Sequence, residues 1–121
     1  ITNPSDIVGY RSHQVYIRNS MHTPLNPGAL RDAMTTLFEL LKEEPEACVR
    51  AVLGHFLFTY IHPFMDGNGR IGRFLMNAML ASGGYDWLII PVERRDEYMA
   101  ALEKASVEGN IVPFVRFLSS I

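Results

Sequence analysis

The fold is decided by one stretch, His62-Pro63-Phe64-Met65-Asp66-Gly67-Asn68-Gly69-Arg70-Ile71-Gly72-Arg73, which separates two hydrophobic runs. Pro63 lacks an N–H and disfavours helical geometry at His62, so a first helix is predicted to end there with the imidazole at its mouth. Gly67 and Gly69 permit a sharp turn and a close approach of the backbone to a ligand. A second helix is predicted to begin directly after this turn, with unpaired N–H groups facing the loop. The pattern therefore predicts a helix, an anion-binding loop and a second helix, which is a site for phosphate.

The side chains of this stretch suit a phosphate-bearing ligand. Arg70 and Arg73 lie three residues apart on the first turn of the second helix, so they can hold separate phosphate oxygens in forked geometry. Asp66 would repel phosphates unless a divalent cation lay between, and Mg²⁺ commonly binds through one or two carboxylates plus substrate phosphates. His62 is the only side chain of the stretch that titrates near neutrality, so it is the natural general base for an attacking hydroxyl.

An ordinary structural turn is the alternative interpretation. A Gly-Asn-Gly connection between two helices is common, and a glycine loop alone is weak evidence for function. A structural turn, however, needs neither two arginines at a helix start, where they oppose the dipole, nor a histidine held by proline. The functional interpretation is therefore favoured.

The twelve residues resemble the signature of the Fic family, His-Pro-Phe-x-(Asp/Glu)-Gly-Asn-Gly-Arg-x-x-Arg, and match it at every specified position. The resemblance implies a compact helical bundle and transfer of AMP from ATP to a hydroxyl side chain of a target protein. It implies His62 as the general base and Asp66 as the Mg²⁺ ligand. The residues that it places around the nucleotide are Phe64, Gly67, Asn68, Gly69, Arg70 and Arg73.

Hydrophobic periodicity predicts about five helices and an all-α fold around this centre. The helix before the motif is apolar nearly all round, which is typical of a helix buried in the middle of a domain. The whole chain, 1–121, is predicted to form a single domain with its catalytic loop at 62–73. The predicted helices run from about 27 to 43, from Pro45 to Ile61, from the motif to Gly83, from about Glu93 to Glu108, and from Pro113 onward.

Residues of about 10–25 are predicted to form a short β-hairpin or flap. The run 14–18 alternates β-branched or apolar residues with others, and a segment rich in turn formers follows it. A strand edge there could accept another chain as an added strand, although a plain arm packed on the bundle explains the pattern equally well. The resemblance favours the flap, because Fic proteins align their target beside the catalytic histidine there. The candidate target contacts are Val15, Tyr16, Ile17 and Arg18.

Composition narrows the class of protein. A chain of 121 residues that is 48% hydrophobic and 20% charged has the balance of one globular domain. Its net charge of −2 lacks the basic surface that nucleic acid requires. Cys48 is the only cysteine and is predicted to be a small core residue, so no intramolecular disulfide is expected. With no signal peptide and no apolar stretch of about 18 residues, a cytoplasmic protein without a membrane partner is expected.

The leading hypothesis is a protein adenylyltransferase that uses Mg·ATP as co-substrate and His62 as base. A non-catalytic module that binds nucleotide or target is one alternative, against which the intact His62 argues. A kinase-like transferase on the same scaffold is another. Gly69 argues against its Doc-like form, which commonly has lysine at that position.

Many Fic proteins are restrained by a glutamate in a Ser/Thr-x-x-x-Glu-Gly/Asn motif, which pairs with the second arginine of the signature. Glu108 is the only glutamate of this chain followed by Gly or Asn, and Lys104 stands four residues before it. The chain is therefore expected to lack the inhibitory glutamate. Any restraint is expected to come from outside it, for example from a separate antitoxin-like protein.

Overall fold

A computed structural model describes residues 9–121, so residues 1–8 of the predicted domain lie outside the described part. The model contains five α-helices, which confirms the all-α prediction, and no strand forms between residues 9 and 121. The helices are α1 (Leu30–Glu43), α2 (Ala47–Ile61), α3 (Asn68–Ser82), α4 (Arg95–Glu108) and α5 (Val112–Ser119). Short 3-10 helices, Pro27–Ala29 and Val92–Arg94, lead into α1 and α4. Within this part of the chain, no helix has both the length and the apolar character needed to cross a membrane.

Local signals set the limits of these helices. Asn26 caps the turn that leads into α1, because its side chain accepts a hydrogen bond from the Ala29 N–H at 3.2 Å. α2 ends at His62, whose backbone is left-handed with a φ of 54°. α4 ends at Gly109, which has a φ of 69° and so occupies a position that favours glycine.

Helix α2 is the centre of the molecule, as its apolar circumference predicts. It packs against α1, α3 and α4. One core cluster joins α2 to the helices after it, and its buried members are Ala51, Met76, Tyr98, Ala101, Phe114, Phe117 and Leu118. A second cluster joins α2 to α1, and its buried members are Leu30, Met34, Leu37, Leu41, Phe58 and Ile61.

Helices α2 and α3 approach each other closely at Gly72. A Cβ at Gly72 would lie 2.9 Å from His55 Nδ1 and 3.1 Å from Thr59 Cγ2, which is closer than side chains normally pack. The missing side chain therefore permits the contact between these two helices. Because α2 carries His62 at its end and α3 begins with the glycine-rich turn, this contact also fixes the two halves of the motif against each other.

The predicted β-hairpin is wrong: residues 10–25, here called the flap, form two irregular arms around a turn. The chain turns at Asn19, whose φ is 62°. The return arm contains Pro24 and leads to Pro27, and neither residue has an N–H to donate to a ladder. The Gln14 side chain joins the arms instead, by donating to the Pro24 carbonyl at 2.9 Å.

The prediction that Cys48 is a core residue is also wrong, because its side chain is exposed. Ala47 and Ala51, which are four residues apart, supply the buried contacts at the start of α2. Cys48 follows Ala47 directly, about 100° further around the helix, and so lies at the edge of the buried face. Periodicity could not place it, because α2 is apolar on nearly every side.

Candidate active site

A cleft of about 690 Å³ opens between the flap, the 62–73 loop and α4. Its volume is within the range typical of sites for small molecules. The predicted site residues that line it are His62, Asp66, Gly67, Asn68, Gly69, Arg70 and Arg73, together with Ile17 and Arg18 of the flap. The predicted residues that lie outside its lining are Phe64, Val15 and Tyr16.

His62 sits at the mouth of this cleft, directly after the last residue of α2. Its N–H donates to the Phe58 carbonyl at 2.9 Å, which closes the helix. Its ring Nδ1 lies 3.2 Å from the Thr59 carbonyl. Since a carbonyl only accepts, Nδ1 carries the proton and Nε2 keeps a lone pair.

The electrostatic surroundings of His62 favour its neutral form. Burial lowers the pKa of the imidazole, and the nearby Arg11 and His22 lower it further, against the opposing effect of the Thr59 carbonyl. A histidine whose pKa lies below its ordinary value is unprotonated at neutral pH. His62 can therefore accept a proton at Nε2, as a general base must.

The glycine-rich turn is held by its own polar groups. Asn68 is buried, accepts a hydrogen bond from the Phe64 N–H at 2.9 Å and donates one to the Phe64 carbonyl at 2.8 Å. Gly67 has a φ of 81°, where L side chains are rare. The Asn68 amide, which was predicted to lie around the nucleotide, is thus engaged in closing the loop.

Phe64 supports the loop from the side of the core. Its ring centroid lies 6.2 Å from that of Phe58 and 5.8 Å from that of Tyr10. These contacts place the ring away from the cleft, although the resemblance placed it beside the nucleotide. The aromatic contacts fix the loop backbone that joins His62 to α3.

The N-terminus of α3 is suited to an anion. No side chain caps it and its first turn has no acidic residue, so its N–H groups and the positive end of its dipole stay available. Arg73 folds back over this turn, because its Nη1 would lie 3.0 Å from a Cβ built on Gly69. Between residues 9 and 121 the only ion pair joins Arg94 and Glu97, so Arg70 and Arg73 have no carboxylate partner there.

The residues present fit a Mg²⁺ ion that is shared with phosphates. Asp66 is exposed at the lip of the cleft, and its Oδ1 accepts a hydrogen bond from the Gly67 N–H at 2.8 Å. No group of three or more His, Cys, Asp or Glu side chains in the described range could enclose a metal by itself. A single carboxylate beside phosphate is the arrangement that Mg²⁺ commonly uses.

Sequence reasoning missed how α4 holds the flap. Glu103 belongs to a helix rich in charges of both signs, a pattern that usually indicates a solvated face. In the structure its carboxylate accepts hydrogen bonds from the Ser20 hydroxyl and from the Met21 N–H, the latter at 2.8 Å. Its partners lie more than 80 residues earlier in the chain, so no local pattern could have indicated them.

A buried pair, His55 and Tyr98, lies behind the cleft. His55 is fully buried and its Nε2 lies 2.7 Å from the Tyr98 hydroxyl. Burial, with a smaller contribution from the nearby Arg73, lowers the pKa of His55 to about 4. Burial also raises the pKa of Tyr98, against the opposing effect of the nearby Arg73. His55 is thus a core residue, and its partner Tyr98 lies close to Arg73.

The fold and the site together define an all-α protein with a glycine-rich loop, suited to an anion, between two closely packed helices. The chain matches the model of the Fic/DOC family over residues 2–80. It is 40% identical over 114 residues to proteins named protein adenylyltransferase Fic from Drosophila willistoni and Drosophila melanogaster, which covers 91% of this chain and 22% and 23% of those proteins.

Solved structures give the same result. Fic-1 (residues 134–508) from C. elegans superposes with a TM-score of 0.84 at 31% identity, over 98% of this chain and 35% of that one. A Fic domain-containing signalling protein from Bacteroides thetaiotaomicron superposes with a TM-score of 0.82 at 30% identity, over 93% and 50% of the two chains. This chain belongs to the Fic/DOC family. It spans about a fifth of the length of the Drosophila relatives that it matches.

Proposed function

We propose that this chain is a protein adenylyltransferase, which transfers AMP from ATP to a hydroxyl side chain of a target protein. One observation carries the proposal: the neutral imidazole of His62 and the uncapped N-terminus of α3 share one cleft. A base and an anion site in that arrangement suit attack of a hydroxyl on a bound phosphate. The name of the Drosophila relatives supports the same activity.

The nucleotide is proposed to lie across the cleft. Its β- and γ-phosphates would meet the first turn of α3, with Arg70 and Arg73 on their oxygens. Its adenosine would lie between the flap and α4, where Ile17, Met99 and Leu102 supply apolar surface. The α-phosphate then faces His62.

The reaction needs one proton transfer and one displacement at phosphorus. His62 Nε2 takes the proton of the target hydroxyl as the hydroxyl oxygen forms a bond to the α-phosphorus. The bond from the α-phosphorus to the bridging oxygen of the β-phosphate breaks, and pyrophosphate leaves. Arg70 and Arg73 stabilise the negative charge that develops on the leaving group. His62 afterwards releases its proton to solvent.

Mg²⁺ is proposed as the metal of this site, with Asp66 as the protein ligand. When bound, it would neutralise phosphate charge and orient the triphosphate. The remaining tasks belong to the chain: the glycine-rich turn shapes the anion site, and His62 and the two arginines act on the proton and the charge.

The target segment is proposed to lie along the flap, with its hydroxyl beside His62. Ile17 and Arg18 line the cleft and are the flap residues best placed to contact it. Tyr16, which is 77% exposed, would contact only parts of the target outside the cleft.

The experiment that tests this function uses ATP labelled separately at the α- and γ-phosphates. The protein is incubated with a lysate and Mg²⁺, and labelled proteins are identified by mass spectrometry. Label from α-³²P-ATP is expected on protein and label from γ-³²P-ATP is not. Transfer of the γ label alone would indicate a kinase-like transferase, and nucleotide binding without any transfer would indicate a binding module.

A His62→Ala variant is the matched control of this experiment. It is expected to lower transfer by about 10²-fold or more, because it removes the general base. Its affinity for ATP is expected to stay close to that of the wild type, since the imidazole acts on the incoming hydroxyl. Near-normal transfer by this variant would contradict the assignment of the base.

A further inference from the structure

Arg11 is a buried cation that contacts the backbone at both the flap and the end of α2. Its side chain is 2% exposed. Its Nε donates to the His62 carbonyl at 2.7 Å, and one Nη donates to the Ile61 carbonyl at 3.3 Å. It also donates to the His13 carbonyl at 3.0 Å and to the Leu25 carbonyl, one on each arm of the flap. Its guanidinium thus joins four backbone carbonyls from two segments of the chain.

The carbonyls at the end of α2 are groups that a helix leaves unpaired. The last carbonyls of a helix have no partner within it and carry the negative end of its dipole. A guanidinium supplies donors in a fixed fork as well as a positive charge, so it satisfies both needs. The Arg11 N–H adds a bond to the Pro63 carbonyl at 2.9 Å, so Arg11 binds three consecutive carbonyls, 61 to 63.

The peptide that Arg11 holds belongs to the residue proposed as general base. His62 has a φ of 54°, a conformation that residues other than glycine adopt only with support from their surroundings. Arg11 fixes the carbonyl of that residue, while the ring is fixed at Nδ1 by Thr59. The direction of Nε2 therefore depends on both contacts.

We propose that Arg11 is a positioning residue that holds the left-handed backbone of His62, so that Nε2 points into the cleft, and holds the flap against the same point. This inference rests on the proposed function for its catalytic consequence. Arg11 lies outside the lining of the cleft, so it acts through His62 and the flap and has no contact of its own with the nucleotide.

The positive charge of Arg11 also bears on the titration of His62. It is one of the causes that lower the pKa of the imidazole, after burial. Removing the charge therefore raises that pKa toward its ordinary value of about 6.5. The test leaves unchanged His22, which also lowers this pKa, and the other charged or titratable groups that line the cleft with the ring, which are Arg18, Asp66, Arg70, Arg73, Arg95, Asp96, Tyr98 and Glu103.

The test compares Arg11→Gln and Arg11→Lys with the wild type. Arg31→Gln, which removes an exposed arginine of α1, is the matched control. Transfer from α-³²P-ATP is expected to fall about 10²-fold in Arg11→Gln, because a displacement of a catalytic group by about 1 Å has an effect of that size. Arg11→Lys keeps the charge but not the fork, so its loss is expected to be smaller.

Nucleotide binding separates positioning from a general loss of structure. Affinity for a non-hydrolysable ATP analogue is expected to change by no more than about twofold in either Arg11 variant, as for a substitution away from the binding site. A folded variant with wild-type transfer overturns the inference, and so does a loss of affinity that matches the loss of rate. Failure of both variants to fold, as measured by circular dichroism, also overturns it, because Arg11 would then serve the fold alone.

An NMR titration of His62 distinguishes a failure of this inference from a failure of the proposed function. If the wild type transfers no label, the proposed function fails. The titration and the tautomer of the His62 ring still test the role of Arg11 in that case. In Arg11→Gln the pKa of His62 is expected to rise and the proton is expected to leave Nδ1 for part of the population. An unchanged titration and an unchanged tautomer in the folded variant overturn the inference.

Discussion

At the scale of single residues, the proposed general base and the arginines proposed to bind phosphate lie on separate parts of the candidate site. His62 faces the cleft with a free Nε2 and has its pKa lowered mainly by burial. Arg73 lies over the uncapped start of α3 and close to Tyr98. The Tyr98 hydroxyl is in turn hydrogen-bonded to the buried His55. The two functions therefore rest on different helices, and substitutions can separate them.

Arg73→Ala is expected to weaken nucleotide binding together with the rate of transfer. Hydrogen bonds to charged groups contribute about 1.5–3 kcal/mol, so the affinity is expected to fall about tenfold to a hundredfold. Isothermal titration calorimetry with a non-hydrolysable ATP analogue measures it. Arg31→Ala, on the exposed face of α1, is the control and is expected to bind normally. An unaffected affinity in Arg73→Ala would show that this arginine is not a phosphate clamp.

The sequence could predict the residues that act locally and could not predict those that act at a distance. His62, Asp66 and the two arginines share twelve consecutive positions, and the structure brings all four to one cleft. Arg11, in contrast, bonds to carbonyls about 50 positions further along the chain. Every residue offers such carbonyls, so no pattern in the sequence marks its partners.

At the scale of helices, the close contact of α2 and α3 fixes the geometry of the motif. Two of the glycines in these helices, Gly72 and Gly54, have different surroundings. Gly72 of α3 faces His55 and Thr59, with no room for a Cβ. Gly54 of α2 faces Leu41 and Leu75 at ordinary contact distances of 3.5–3.6 Å. Alanine substitutions at these two glycines therefore measure how much the close contact of α2 and α3 contributes to stability.

Gly72→Ala is expected to destabilise the protein and Gly54→Ala is expected to stabilise it or leave it unchanged. Overpacking a tight contact lowers the free energy of unfolding by about 1–3 kcal/mol, which exceeds the gain of up to about 1 kcal/mol in helix propensity. At Gly54 a Cβ would make only ordinary contacts, so the gain in helix propensity is the only effect expected. Urea denaturation of both variants measures the difference. Equal stabilities would mean that the two helices are not tightly packed at Gly72.

Helices were predictable here because their signals are local, whereas the flap was not. The periodicity of α1 and the proline after His62 gave helix limits close to those observed. The alternation of residues 14–18 suggested a strand, yet a strand needs a partner that can donate. Pro24 and Pro27 lack N–H donors, so the return arm cannot pair fully with residues 14–18. The sequence did not show this, because it does not indicate which residues of the two arms lie opposite each other.

At the scale of the whole molecule, stability is expected to fall as the pH falls from about 6.5 to about 4. The folded state holds His55 with a pKa of about 4, while the unfolded chain has the ordinary value of 6.5. The unfolded state therefore binds the proton first, and acid favours it. The difference between the two pKa values corresponds to about 3 kcal/mol in the free energy of unfolding. Most of this stabilisation is lost by pH 4. The lowered pKa of His62 acts in the same direction.

Urea denaturation at a series of pH values measures this dependence. His55→Gln is the control, because an amide can still bond to the Tyr98 hydroxyl but does not titrate. Its loss of stability between pH 6.5 and pH 4 is expected to be smaller than that of the wild type. An identical dependence in the two proteins would show that His55 is not the group responsible.

Glu108→Gly is expected to leave the rate of transfer within about twofold of the wild type, as for a surface substitution. Glu108 is the last residue of α4, is exposed and lies outside the lining of the cleft. It therefore does not share the cleft with Arg73. The glycine that follows it serves to end the helix. A rate assay of the purified chain with Mg·ATP measures the effect. A large activation would place the inhibitory glutamate within this chain after all.

The attachment of the flap has a thermodynamic consequence. Arg11 holds it to the end of α2, Gln14 ties its arms together, and Glu103 holds its tip to α4. A segment fastened in this way is already ordered before a nucleotide arrives, so binding carries little entropic penalty from folding it. The heat-capacity change on nucleotide binding should then correspond to the apolar surface that the nucleotide covers, without a further contribution from a segment that folds as it binds.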